Sequence, residues 1–152
     1  MTQAHSPIEL RILSEPRFLC VARAAIGAAV EKIGFDDGVS GQVMLAVDEA
    51  LANIIRHGYQ GRADGPIWIG FEPLESNGHS GFRITIEDEA RQVDPQSICG
   101  RELDEVRPGG LGVHIIRKIM DKVEYTRREP GGMRLVMTKT APTPGPAQER
   151  AS

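Results

Sequence analysis

The run Val43 to His57 (VMLAVDEALANIIRH) carries two stripes at once. Met44, Val47, Leu51, Ile54 and Ile55 recur near the 3.6-residue period, so a helix here buries an apolar face. Glu49, Asn53 and His57 fall at every fourth position and stack as a polar ridge that looks away from part of the core. One helix thus supplies both packing and chemistry. A Glu carboxylate can take a proton from a hydroxyl, and an Asn carbonyl one turn on can coordinate a hard cation. Magnesium typically takes one or two protein oxygens and fills its octahedron with water and substrate phosphates, so a lone Asn suits it when a nucleotide supplies the rest. The plainer alternative, a solvated helix face with a common i,i+4 polar pair, stays open on these residues alone.

The size of the chain limits what the ridge serves. Its 152 residues make about one domain, with no room for a second catalytic one. The net charge of −3 and the lack of a Lys/Arg stripe argue against a nucleic-acid partner. Cys20 and Cys99, far apart, fit reduced thiols better than a disulfide framework or a zinc site, and His5, His57, His79 and His114 have no metal-ligand spacing. No run approaches the ~18 apolar residues that cross a bilayer, and the N-terminus has no basic-then-apolar leader. A soluble, cytoplasmic protein is expected. Residues 1–140 read as a single domain and the Pro- and Ala-rich 141–152 (APTPGPAQERAS) as a disordered tail.

Around the ridge helix the pattern predicts a strand at Ile8–Leu13 and a helix from Phe18 to Ile33, opened near Pro16 and ended by Gly34. Gly38 and Ser40 punctuate the chain before the ridge helix, which stops near Gly58. Ile67–Leu74 and Phe82–Glu87 form a hairpin across Ser76 to Ser80. Val113–Met120 is a further amphipathic helix, and Val123–Arg127 with Met133–Thr138 a last hairpin around Pro130, Gly131 and Gly132. The sum is an α+β fold, a two-layer sandwich with three helices covering one face of a mainly antiparallel, mixed sheet.

Two further places carry chemistry. Asp88 stands at the end of a strand, where it either accepts a hydrogen bond from an exocyclic amine such as that of adenine or simply caps a turn. Asp94, ahead of Pro95, reads as a loop-shaping residue. Gly109, Gly110, Leu111, Gly112 and Val113 open a helical pattern, so backbone N–H groups and the helix N-terminus can receive phosphates. The polar segment Gln96 to Arg107 can fold over a ligand as a lid, with Arg101 and Arg107 as phosphate contacts or as solvated loop charges. No Gly-Lys-Ser/Thr follows, so this is not a P-loop.

In that order, the Glu/Asn helix, the strand-end Asp and the Gly-Gly-Leu-Gly turn resemble the N, G1 and G2 boxes of the GHKL (Bergerat-fold) ATPase superfamily. The likeness runs from about Ile8 to Lys139 and is most specific at Asp48 to Asn53, His57-Gly58-Tyr59, Gly109 to Ile116 and Met120-Asp121. Within the superfamily the chain looks most like the stand-alone anti-sigma-factor serine/threonine kinases. The resemblance implies Glu49 as general base, Asn53 as magnesium ligand, Asp88 as adenine contact and Gly109 to Val113 as the phosphate-binding turn. His57 would support Asn53 or the lid, or mark a partly exposed helix end. It further implies ATP and Mg2+ as cofactors, a Ser or Thr on a STAS-type anti-anti-sigma protein as acceptor, a sigma factor as second partner, and a homodimer formed through the sheet side. The G1 box departs from the family's pattern: Ala90 replaces a Gly, Gln92 a small residue or Pro, and Val93 a Phe. Ala90 brings a methyl to the adenine pocket, which weakens nucleotide binding if the backbone needs positive φ and is harmless if it does not. Gly132-Met133 stands where the family tends to have Gly-Thr. A nucleotide-responsive binding module without phosphotransfer therefore stays open beside the kinase, as does a detached histidine-kinase-like ATPase domain.

Overall fold

The computed structural model describes residues 6–76, 78–98 and 111–141. Its sheet has five strands, β1 (Ile8–Leu13), β2 (Pro66–Ser76), β3 (His79–Asp88), β4 (Lys122–Arg127) and β5 (Met133–Thr140), in the order β1-β2-β3-β5-β4. Strict alternation builds it. Ile67, Ile69 and Phe71 on β2, Phe82, Ile84 and Ile86 on β3, and Leu135 and Met137 on β5 all point to one buried face. Their neighbours Trp68, Gly70, Glu72, Arg83, Thr85, Glu87, Arg134, Val136 and Thr138 are on the other, where the Arg83–Glu72 pair closes at 2.5 Å. Helices α1 (Leu19–Lys32), α2 (Asp37–Asn53) and α3 (Leu111–Ile119) cover the apolar face, with α2 packed between the other two. The expected two-layer α+β sandwich is what forms. All four strand pairings are antiparallel, so the parallel component of a mixed sheet does not occur among the described residues.

The ridge helix is longer at its start than the sequence pattern suggests. It begins at Asp37 because the Asp36 side chain caps it, accepting a hydrogen bond from the Val39 N–H at 2.8 Å. Gly38 and Ser40 therefore lie inside the helix instead of ahead of it. Ser40 is tolerated there because its buried hydroxyl donates to the Gly27 carbonyl of α1 at 3.0 Å, a tertiary bond that replaces the usual local competition. At the other end the α-helix stops at Asn53, and Ile54–Gly58 is a π turn. Glu49 and Asn53 keep α-helical spacing, whereas His57 sits exposed on the wider turn.

The last hairpin runs from β4 through Arg128, Pro130 and Gly132 into β5, and it closes with the Arg128 N–H donating to the Gly132 carbonyl at 3.0 Å. Gly132 has φ of +89°, and a Cβ there would overlap the Asp88 carbonyl and crowd Glu89. The close approach of the hairpin to the end of β3 thus requires glycine at this position. Gly131 has no such neighbour. Gly132→Ala should cost roughly 2–4 kcal/mol of unfolding free energy, while Gly131→Ala should cost well under about 1 kcal/mol. Denaturant unfolding of both variants checks this, and equal losses would show that the hairpin does not abut Asp88 as described.

Candidate functional site

Glu49 and Asn53 project from the side of α2 that faces α3, both half-buried. The backbone of Gly112 lies directly against them: a Cβ on that glycine would stand 2.7 Å from Glu49 Oε2, 3.3 Å from Asn53 Nδ2 and 3.6 Å from Asn53 Oδ1. Any side chain there would fill the space that the two polar groups look into. The structure therefore brings together Glu49, Asn53 and Gly112. It also sets the first turn of α3 beside a carboxylate and an amide. Leu111 is exposed at the start of that turn and Val113 is buried beneath it. Next to Glu49, Asp48 turns the other way and pairs with Arg23 of α1 at 2.7 Å. Gly109, Gly110, Arg101 and Arg107, most of the expected lid and the tail beyond Ala141 lie outside the described residues.

The other expected site residue, Asp88, stands at the end of β3. Asp88 is 4% exposed, and its Oδ1 accepts hydrogen bonds from the Ala90 N–H at 2.9 Å and the Met133 N–H at 3.1 Å. Burial pushes its carboxyl above the ordinary range, against the pull of those two N–H groups and of the Arg128 charge. Both bonds fall on one oxygen, which leaves Oδ2 uncommitted to them. The Asp88 carboxyl thus does more than cap a turn, since Met133 N–H reaches it from another strand. The Met133 contact is made by the main chain, so the departure from Gly-Thr at this point keeps the bond. Asp94 shapes the loop as expected: its Oδ1 accepts the Gln96 N–H at 3.0 Å at the head of a 3-10 turn, Pro95–Ile98.

Ala90 resolves differently from a strained substitution. Gln60 is the one non-glycine residue with positive φ among those described, so Ala90 holds an ordinary conformation. Its methyl is 8% exposed and packs against Gly58, where an added Cβ would come within 2.9 Å of it. The strand end and the turn after α2 are in this way packed together.

Tyr59 is the residue that sequence reasoning missed as more than a motif member. Its ring is buried, and its hydroxyl donates to the Pro66 carbonyl at 2.6 Å while accepting the Glu89 N–H at 2.8 Å. Desolvation raises the phenol above its usual value of 10.0. Its N–H closes the π turn before it by bonding the Ile54 carbonyl at 2.8 Å. A lone buried Tyr after His-Gly carries no periodic signal by which its partners on β2 and β3 can be found.

Comparison with known proteins bears on this arrangement. The family description "Histidine kinase-like ATPase domain" matches residues 12–139. A serine-protein kinase RsbW of Listeria innocua is 26% identical over 144 residues, covering 91% of this chain and 90% of the relative. One of Oceanobacillus iheyensis is 26% identical over 140 residues, covering 87% and 85%. Among solved structures, that of the RsbU and RsbW domains of a Mycobacterium tuberculosis protein matches with a TM-score of 0.58 at 15% identity, a likeness of fold. It covers 90% of this chain, which spans 34% of that larger one.

The buried Asp88 generates a pH test. A carboxyl raised above its unfolded value of 3.8 binds more protons in the folded protein. Its contribution to stability is therefore full below that value and is lost as the pH rises through the folded one. Asp88→Asn keeps an oxygen acceptor for both N–H groups but cannot ionise, so it should gain stability relative to the wild type as the pH rises across that window. Urea unfolding of the two proteins over a pH series checks this, and a difference that stays constant or moves against the variant would contradict the raised carboxyl.

Proposed function

Since this chain belongs to the histidine kinase-like ATPase family, we propose that it is an ATP- and Mg2+-dependent serine/threonine protein kinase that also acts as an anti-sigma factor. In this reading it binds and phosphorylates a STAS-type anti-anti-sigma protein and holds a sigma factor in alternation with it. The observation that carries the proposal is the meeting of Glu49, Asn53 and the Gly112 backbone at one point between α2 and α3. That arrangement suits phosphoryl transfer, which asks for positioned phosphates, charge stabilisation and a base at the acceptor hydroxyl.

The roles follow from chemistry. Glu49 takes the proton of the acceptor Ser or Thr as the hydroxyl oxygen bonds to the γ-phosphorus; the bond from that phosphorus to the β-phosphate oxygen breaks and ADP leaves. Asn53, whose side-chain amide lies beside Gly112, would supply its one carbonyl oxygen to magnesium, with phosphates and water completing the shell. Magnesium there would neutralise charge on the phosphates. The Gly109 to Val113 turn and the start of α3 receive phosphate oxygens, with Arg107 from the lid, while Asp88 accepts the exocyclic amine of adenine beside the Ala90 methyl. His57, exposed past Asn53, is left with a supporting role at most.

The alternative of a non-catalytic binding module rested on the altered G1 box of Ala90, Gln92 and Val93; the ordinary backbone conformation of Ala90 supports the kinase reading at that position. No described helix is long and apolar enough to cross a membrane. The reading includes a cytoplasmic protein, a domain of residues 1–140, and a homodimer through the sheet face that the helices leave uncovered. It is tested by phosphotransfer from labelled ATP to a purified STAS-type protein. Glu49→Ala should lower the transfer rate by about 10²–10⁴-fold while leaving nucleotide affinity within about threefold, and Asn53→Ala should weaken magnesium-dependent nucleotide binding. Full transfer by Glu49→Ala would remove the base and with it this mechanism.

A further inference from the structure

Arg128 belongs to none of the motifs above, yet its side chain makes several connections at the end of β3. Its Nη1 donates to the Asp88 carbonyl at 2.6 Å and lies 3.5 Å from the Gly131 carbonyl. Its Nε pairs with Glu87 Oε2 at 3.0 Å, and its guanidinium carbon sits 5.0 Å from the centre of the Trp68 ring. Through its main chain it closes the hairpin onto Gly132 and accepts the Gln92 side-chain amide at 2.5 Å. Glu87 and Trp68 are cross-strand partners on the uncovered face of the sheet, whereas Asp88 faces the helices. Arg128 therefore reaches around the strand end and holds both faces.

We propose that Arg128 is a positioning residue for adenine recognition, fixing the main chain of Asp88 and the hairpin that delivers the Met133 N–H to its carboxylate. The proposal rests on the reading of Asp88 as the adenine contact. The geometry needs a guanidinium: a planar fork can serve a carbonyl and a carboxylate at once while its face lies on an indole, and an ammonium cannot do all three. Only 21% of the side chain is exposed, so its charge is felt by the buried carboxyl, where it opposes the effect of burial. The other ionisable groups gathered at this strand end are Tyr59 from the turn after α2, Glu89 and Glu87 on either side of Asp88, and Arg134 beside Glu87 at 3.6 Å.

The test compares ADP with IDP, which lacks the exocyclic amine, by calorimetric titration over a pH series. It uses the wild type, Arg128→Gln, Arg128→Lys and Asp88→Asn. The wild type should prefer ADP by about tenfold, the worth of one hydrogen bond to a charged group. Arg128→Gln should lose most of that preference, and its ADP affinity should begin to fall at a higher pH than in the wild type as the solution is acidified. Arg128→Lys keeps the charge and should leave that acid limb in place while still losing preference. Uniform weakening of ADP and IDP at every pH, or wild-type preference in both Arg128 variants, would overturn the positioning role. The Asp88→Asn result separates the two ideas. If it alone abolishes the preference, the adenine contact stands and Arg128 is only structural; if it leaves the preference intact, the adenine contact itself fails and the proposal with it.

Discussion

The burial of α2 between α1, α3 and the sheet is the constraint on which the rest depends. Val43, Ala46, Val47 and Leu51 are fully buried and Ala50 nearly so. Each large aliphatic member contributes roughly 1.5–3 kcal/mol by leaving water, so the helix cannot rotate about its axis without losing several such contributions. That fixes where Glu49 and Asn53 point. The small residues Ala46 and Ala50 let neighbouring elements come close, and Gly112 of α3 completes the approach by presenting backbone, with no side chain, to the two polar groups. Core packing and site geometry are thus consequences of the same helix orientation.

The far end of the site is held by polar bonds instead. A carboxyl as deeply buried as Asp88 is costly unless its oxygens are satisfied, and here two backbone N–H groups, one from the turn after β3 and one from β5, converge on one of them. Tyr59 ties the turn after α2 to both β2 and the residue after Asp88. The result is a strand end whose main chain is pinned from three directions: the turn after α2, the last hairpin and the Arg128 side chain. Such pinning before any ligand arrives lowers the ordering that binding must supply.

Much of this was legible in the sequence because it depends on local period. Alternation in Ile67 to Phe71 and Phe82 to Ile86 gave the central hairpin, and the every-fourth-residue spacing of Glu49 and Asn53 gave the ridge. What stayed hidden depends on contacts across the chain. Gly38 and Ser40 look like punctuation until the Ser40 hydroxyl is seen to bond Gly27, thirteen positions away. His57 continues the ridge on paper, but it lies in the π turn Ile54–Gly58, off the α-helical line. Arg128 belongs to no motif in the sequence, and its contacts with Asp88 and Glu87 appear only when the register brings β5 beside β3. The family likeness made Ala90 look like a defect, because the sign of φ at that position is set by tertiary structure.

The most direct test of the whole account is calorimetric titration of the purified protein with ATP, with and without magnesium. Glu49, Asn53, Gly112 and Asp88 as a single nucleotide site predict magnesium-dependent binding near micromolar. No binding up to about millimolar, a gap of roughly 4 kcal/mol in free energy, would contradict it and leave these residues as the framework of a protein-binding surface.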